Sequence, residues 1–318
     1  MSTARVDAIA QPASRGARRA IRRSIILVAL LLAGAASAAA LAYRRPIISF
    51  LTHWKGSPTH TEAYQPFPAN DRPDLRLAVA GDVGDSGHRI DATGAAMARL
   101  AGDDGFDVLL LLGDNVYPSG DPDELPATVF RPFAGVLGEG AELLGILGNH
   151  DVPDGDAQLA ALGMPGHWWS VRRDDALIVG LDSNRTHDPE QLVWLEETLA
   201  ASTATWKIVA LHHPPFSAGY QGSSVDARDA FVPIFERYGV QLVLSGHDHD
   251  YQRSNEINGV TYIVSGAAAG TRRTGEASFT AVSFSWHSYV EVGVYPDRLV
   301  GRVLNQDNRV ADNWVLQP

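Results

Sequence analysis

Five short segments carry side chains able to do metal chemistry: Gly81-Asp82-Val83-Gly84, Gly113-Asp114-Asn115-Val116-Tyr117, Gly148-Asn149-His150-Asp151, Val209-Ala210-Leu211-His212 and Gly246-His247-Asp248-His249. Gly followed by Asp or Asn is common turn chemistry, so any one of these segments alone says little. Three imidazoles, two carboxylates, an amide and a phenol drawn from among them are about what two metal ions need. A carboxylate can bridge two ions. Neutral imidazole suits a divalent ion, and a phenolate oxygen suits a harder or more oxidised one. The chain has no Cys, which excludes a thiol nucleophile, a disulfide framework and Cys-ligated zinc or iron–sulfur sites.

The segments lie where secondary structure would bring them together. Each follows or closes a short apolar run, at 75–80, 108–112, 143–147, 207–211 and 240–244. Between the runs lie amphipathic stretches at 90–100, 190–199 and 227–238, the layout of crossover helices between buried strands. In an open α/β sheet the carboxyl ends of the strands converge on one edge, so residues just after several strands meet in space. This predicts one α/β domain over 75–318. Its tail, with apolar runs at 260–264, 281–284, 289–294 and 299–303 and no helix between them, reads as an antiparallel sheet.

In this order the segments resemble the signature of the purple acid phosphatases, a branch of the calcineurin-like metallophosphoesterases: GDxG, GDxxY, GNH(D/E), VxxH and GHxH, all matched between Gly81 and His249. In most other metallophosphoesterases the first motif is DxH. Here Gly84 stands in the His position and Tyr117 is present instead, the mark of the purple branch. The resemblance implies a four-layer α/β/β/α sandwich that hydrolyses phosphate monoesters with Fe3+ and a divalent ion, Fe2+, Zn2+ or Mn2+. It assigns Asp82, Tyr117 and His249 to the ferric ion, Asn149, His212 and His247 to the divalent ion, and Asp114 to both as a bridge. It places His150 to protonate the leaving group or hold the transition-state oxygen, with Asp151 to orient it.

Candidate substrate contacts are Asn115, His213 and Tyr220, with Arg272 and Arg273 candidates for the phosphate mouth. The further His that family members often place after VxxH is missing from 214–228. Trp168 and Trp169 read as packing residues. Two alternatives use the same residues: a phosphodiesterase or polyphosphate-cleaving enzyme, and a membrane-tethered metal-binding protein without turnover.

The N-terminus reads as a targeting segment. Residues 1–23 form a basic region, and 24–43 are an uncharged apolar run of 20 residues, enough for a helix spanning roughly 30 Å of hydrocarbon. Arg44 and Arg45 flank its far end like those of an anchor, while Ala36-Ser37-Ala38 and Ala40-Leu41-Ala42 suit a signal peptidase. Either reading puts the rest outside the cytoplasm, as a single-pass membrane protein or a secreted or periplasmic one, with 44–74 a Pro-containing tether. The net charge is -11 although eight of the 26 basic residues fall in 1–45, so the remainder is strongly acidic. That argues against a nucleic-acid groove or a polybasic membrane face. The expected partners are a phosphorylated small molecule and, through the apolar helix, a membrane.

Overall fold

The computed structural model describes residues 56–68 and 70–318, so the basic region, the apolar run and the first part of the tether lie outside the described residues. Among the described residues no helix is long and apolar enough to cross a membrane.

In chain order the strands are β1 (Glu62–Ala63), β2 (Leu75–Ala80), β3 (Val108–Leu111), β4 (Glu142–Gly145), β5 (Trp169–Arg173), β6 (Ala176–Gly180), β7 (Trp206–Ala210), β8 (Leu242–Ser245), β9 (Tyr251–Ser254), β10 (Thr261–Ser265), β11 (Thr280–Phe284), β12 (Ser288–Val294), β13 (Leu299–Asn305) and β14 (Arg309–Leu316). The helices are α1 (His88–Ala101), α2 (Ala134–Gly138), α3 (Gly155–Leu162), α4 (Pro189–Ala201) and α5 (Val225–Tyr238). One sheet runs β1-β14-β13-β12-β2-β3-β4, the other β11-β9-β10-β8-β7-β6-β5.

Side chains alternate across a strand, so a strand apolar at every position must be covered on both faces. In β2, apolar at every position but Arg76, every residue is buried. Leu75, Leu77 and Val79 point into a core shared with Ile178, Ile208, Leu244 and Ile263 of the second sheet. Ala78 and Ala80 point outward, under Ile90, Met97 and Leu100 of α1. The second sheet is built alike: Val179, Val209 and Val243 lie under Leu195 of α4 and Phe231 and Phe235 of α5. Burying each such large side chain contributes about 1.5–3 kcal/mol. The layers are therefore helix, sheet, sheet, helix, the sandwich the sequence implied.

Helix ends follow local chemistry. The Ser224 side chain accepts from the Ala227 amide to start α5, which stops at left-handed Gly239. Asp188 caps α4, with Pro189 in the first turn, where its missing N–H costs nothing.

Two expectations need correction. The strands after Tyr251 do not form one antiparallel sheet: β9, β10 and β11 complete the second sheet, with β10 parallel to β8, while β12, β13 and β14 extend the first. A period of two marks a strand without saying which sheet receives it. The tether, moreover, is part of the domain at its far end. Glu62–Ala63 pairs with β14, and the Phe67 ring packs edge-on against Tyr295 at 6.0 Å.

Candidate metal centre

Strands β2, β3 and β4 are parallel to one another, as are β6, β7 and β8, and the five motif segments lie at or just after the carboxyl ends of β2, β3, β4, β7 and β8. The turns there are tight. Asp82, Asp114 and His247 take φ of 58°, 53° and 69°, a region most non-glycine residues avoid and Asp tolerates better than most. Two motif glycines are required by their neighbours: a Cβ on Gly148 would meet Asp114 Oδ1 at 2.1 Å, and one on Gly246 would meet Asp82 Oδ2 at 2.6 Å. Glycine at these positions is what lets both carboxylates lie against the backbone of the adjoining loop.

The seven side chains converge. Asp82 Oδ1 lies 3.1 Å from the Tyr117 hydroxyl and 3.3 Å from His249 Nε2, and these last two are 3.1 Å apart. Beside this triangle, His212 Nε2 is 3.2 Å from Asn149 Oδ1 and 3.4 Å from Asp114 Oδ1. The His247 ring centroid lies 5.1 Å from that of His212. His212 Nδ1 donates to the Leu112 carbonyl at 2.8 Å, which leaves Nε2 with its lone pair facing the cluster. The Asp82, Asp114 and His212 ligand atoms all lie within 4.8 Å of one another, as do those of His212, His213 and His247.

The electrostatics of these groups fit cations. Burial pushes the Asp82 carboxyl up to about 6, against the favourable hydrogen bond from His249. Burial, with the charges of Asp82 and Asp114, raises the Tyr117 phenol. Burial, with neighbouring imidazoles, drives His212 well below the ordinary histidine range and His247 down to about 3. Burial thus works against the charged forms of Asp82, Tyr117, His212 and His247, whereas at His249 the bond and charge of Asp82 outweigh burial and raise the imidazole; positive ions stabilise the anionic oxygens and use the free nitrogen lone pairs.

A cavity of about 240 Å³ opens over the cluster, lined by Asp114, Tyr117, Asn149, His150, His247 and His249 together with Asp85, Gln221, Gly270 and Arg272. His150 Nδ1 donates to the Pro118 carbonyl at 2.8 Å, leaving Nε2 unspent, and its ring meets Tyr117 edge-on with centroids 4.8 Å apart. A larger cavity, about 500 Å³, lies at the opposite ends of β2 and β3, beside Arg72, Asp74 and Asp107 and remote from the motifs.

Other expected site residues fall elsewhere. Asp151 does not orient the His150 ring, which Pro118 holds; its carboxylate accepts from the amides of Gly148, Asn115 and Val116 and from Gln158 Nε2. Asn115 is fully buried and its side-chain amide donates to Ile146 O, Asp151 and Gln158 Oε1, so it contacts no substrate mouth. Asp151 faces inward because two tight loops need a buried acceptor for their amides, and the Asn115 side chain because its amide donates to that carboxylate and to the Ile146 carbonyl. His213 packs its ring 4.6 Å from His247 and shares a 2.8 Å hydrogen bond with Ser183 Oγ. Tyr220 is 60% exposed, with the Arg272 guanidinium 5.4 Å over its ring. Trp169 is core, its indole donating to Gly145 O at 3.0 Å.

Sequence reasoning passed over Asp248, the variable position of GHxH. Buried, it accepts from Ser217 Oγ and from the amides of Gln221 and Gly222, and so fixes the loop that brings Gln221 to the cavity. An acidic residue enclosed by two histidines is the signal that was available.

Comparison with known proteins agrees with this geometry. Residues 75–251 match the family model described as calcineurin-like phosphoesterase. Over 237 residues the chain is 27% identical to tartrate-resistant acid phosphatase type 5 of Mus musculus, covering 61% of this chain and 72% of that protein. It is 26% identical over 238 residues to purple acid phosphatase 17 of Arabidopsis thaliana, covering 64% and 70%. The fold superposes on a purple acid phosphatase from yellow lupin seeds with a TM-score of 0.68 at 14% identity, covering 78% of this chain and 55% of that one. The match spans more than half of the sequence and contains all seven clustered donors, and the chain belongs to the calcineurin-like phosphoesterase family.

Proposed function

We infer that this phosphoric ester hydrolase cleaves phosphate monoesters at a dinuclear centre of Fe3+ and a divalent ion, outside the cytoplasm. The observation that carries the reading is the Asp82–Tyr117–His249 triangle, with every edge 3.3 Å or shorter, lying beside the Asp114–His212–Asn149 group. A phenol and a carboxylate in one donor group favour a ferric ion, whereas imidazoles and an amide suit Fe2+, Zn2+ or Mn2+. Asp114 lies between the groups, suited to serve both. When bound, two such cations lower the pKa of water, hold phosphoryl oxygens and neutralise the leaving oxygen.

The chain's own residues supply the rest. His150, fixed through Nδ1 by Pro118, presents Nε2 to the cavity, where its protonated form donates to the leaving oxygen. The Tyr117 ring, nearly perpendicular to it, limits its rotation. His213, held by Ser183 and packed on His247, keeps that ligand ring in place. The extracytoplasmic placement is supported by the basic, apolar and Arg44-Arg45 pattern of the N-terminus.

The test is phosphate release from an aryl phosphate by the purified chain from acid to neutral pH, with elemental analysis and a visible spectrum. Expected are iron plus a second metal and a Tyr117-to-iron absorption band that Tyr117→Phe abolishes. Active protein holding zinc alone, without a band, removes the ferric assignment; no phosphate release at any pH removes the hydrolase.

A further inference from the structure

Three groups lining the cavity have no part in holding metal or moving the proton: Asp85, Gln221 and Arg272. Arg272 is the one guanidinium among them. Its main-chain N–H donates to His249 O at 2.7 Å, which fastens residue 272 to the metal-binding loop. Its guanidinium rests over the Tyr220 ring at 5.4 Å, and no carboxylate among the described residues pairs with it. The two loops of this wall are joined by Gly275 N–H donating to Ala218 O at 2.9 Å, and Asp248 holds the amides of Gln221 and Gly222. An arginine braced on an aromatic ring, with its fork of N–H donors unspent, is a preorganised receptor for a carboxylate or phosphate.

The phosphoryl group itself already has the metal cluster and His150 to receive it. Arg272 is exposed, at the mouth of the cavity, where the leaving group must extend. Asp85 is exposed at the same mouth and repels anions from its own side, so an anion is favoured only at Arg272. Resting on the hydrolase reading above, we propose that Arg272, carried on Tyr220, binds a second oxyanion on the leaving group. The preferred substrates are then phosphate esters whose alcohol portion carries a carboxylate or a second phosphorus oxyanion.

The experiment compares kcat/KM for 4-ethylphenyl phosphate, 4-(carboxymethyl)phenyl phosphate and 4-(phosphonomethyl)phenyl phosphate, whose methylene groups keep the phenols similar in basicity. For the metal-loaded wild type, at least one anionic ester should exceed the neutral one by about tenfold, the worth of one charge-assisted pair. The arm that shows the larger preference identifies the oxyanion. Arg272→Ala should collapse the ratio, Arg272→Lys retain part of it, Tyr220→Phe preserve it and Tyr220→Ala lower it. No preference in the wild type overturns the proposal. So does an equal loss on all three esters in Arg272→Ala, which would put the guanidinium on the transferred phosphoryl group. Failure of the wild type to release phosphate from any ester sinks the hydrolase reading and this proposal with it, a result distinct from hydrolysis without preference.

Discussion

Asp151 accepts hydrogen bonds from the main-chain N–H of Asn115 at 3.0 and 3.1 Å, so one buried carboxylate ties the loop carrying Asp114 to the loop carrying Asn149. Gly148 N–H, at 2.8 Å, completes the link. Asp151→Ala leaves these amides buried and unpaired, which costs about 1–3 kcal/mol for each group left unsatisfied. The variant should unfold at lower denaturant and retain less metal, since both loops carry residues of the candidate metal cluster. Full metal content with a large rate loss would instead return Asp151 to a direct role in proton transfer.

His150→Ala should keep both metals, because the ring is bound to Pro118 and not assigned to coordination. Losing a positioned general acid costs about 10²–10⁴ in rate. The loss should be larger for an alkyl than for an aryl phosphate, as aryl oxygens leave with less protonation. Equal, small losses on both with metals in place would remove His150 from the mechanism.

Asp114 is the carboxylate assigned to both ions, and its Oδ1 also accepts from the His150 amide at 2.9 Å. Asp114→Ala should therefore lose metal content and turnover together, and added metal should not restore wild-type rates. Retention of two metals per chain would show that Asp114 is no bridge.

Away from the site, Glu291 is fully buried, bound by Arg76 Nε at 2.8 Å and Arg302 Nη1 at 3.2 Å. Arg76 also donates to the carbonyls of Leu100, Ala101 and Gly105, closing the end of α1. Glu291→Ala should cost about 3–5 kcal/mol in urea unfolding by leaving a buried guanidinium unpaired. Well below its melting point, the variant should keep wild-type kcat/KM. A cost below about 1 kcal/mol would mean the pair is compensated.

Burial, with Arg89 and His88 nearby, lowers the His287 imidazole from 6.5, against a hydrogen bond to the Ala267 carbonyl. The folded state then resists a proton that the unfolded chain accepts, so stability falls as pH drops below about 6.5 and continues to fall until the folded imidazole protonates. His287→Gln should make the stability profile flatter between about pH 7.5 and 5.5. An unchanged slope would show that His287 titrates alike in both states.

The sequence by itself marked the strands that carry the site, three of the helices between them and the seven side chains that the fold brings together. The apolar run at 75–80 coincides with β2, and 108–112, 207–211 and 240–244 fall within one or two residues of β3, β7 and β8. These features are local: a run apolar at nearly every position must be covered on both faces, and a glycine before a polar residue marks the turn that follows. Tertiary structure alone decided that Asn115 and Asp151 turn inward, that the tail divides between two sheets, and that Tyr220 carries Arg272. A side chain in a tight loop has no periodicity to reveal its direction, and a strand pattern names no partner. Both are settled by which unpaired amides, open sheet edges and charges the rest of the chain brings within reach.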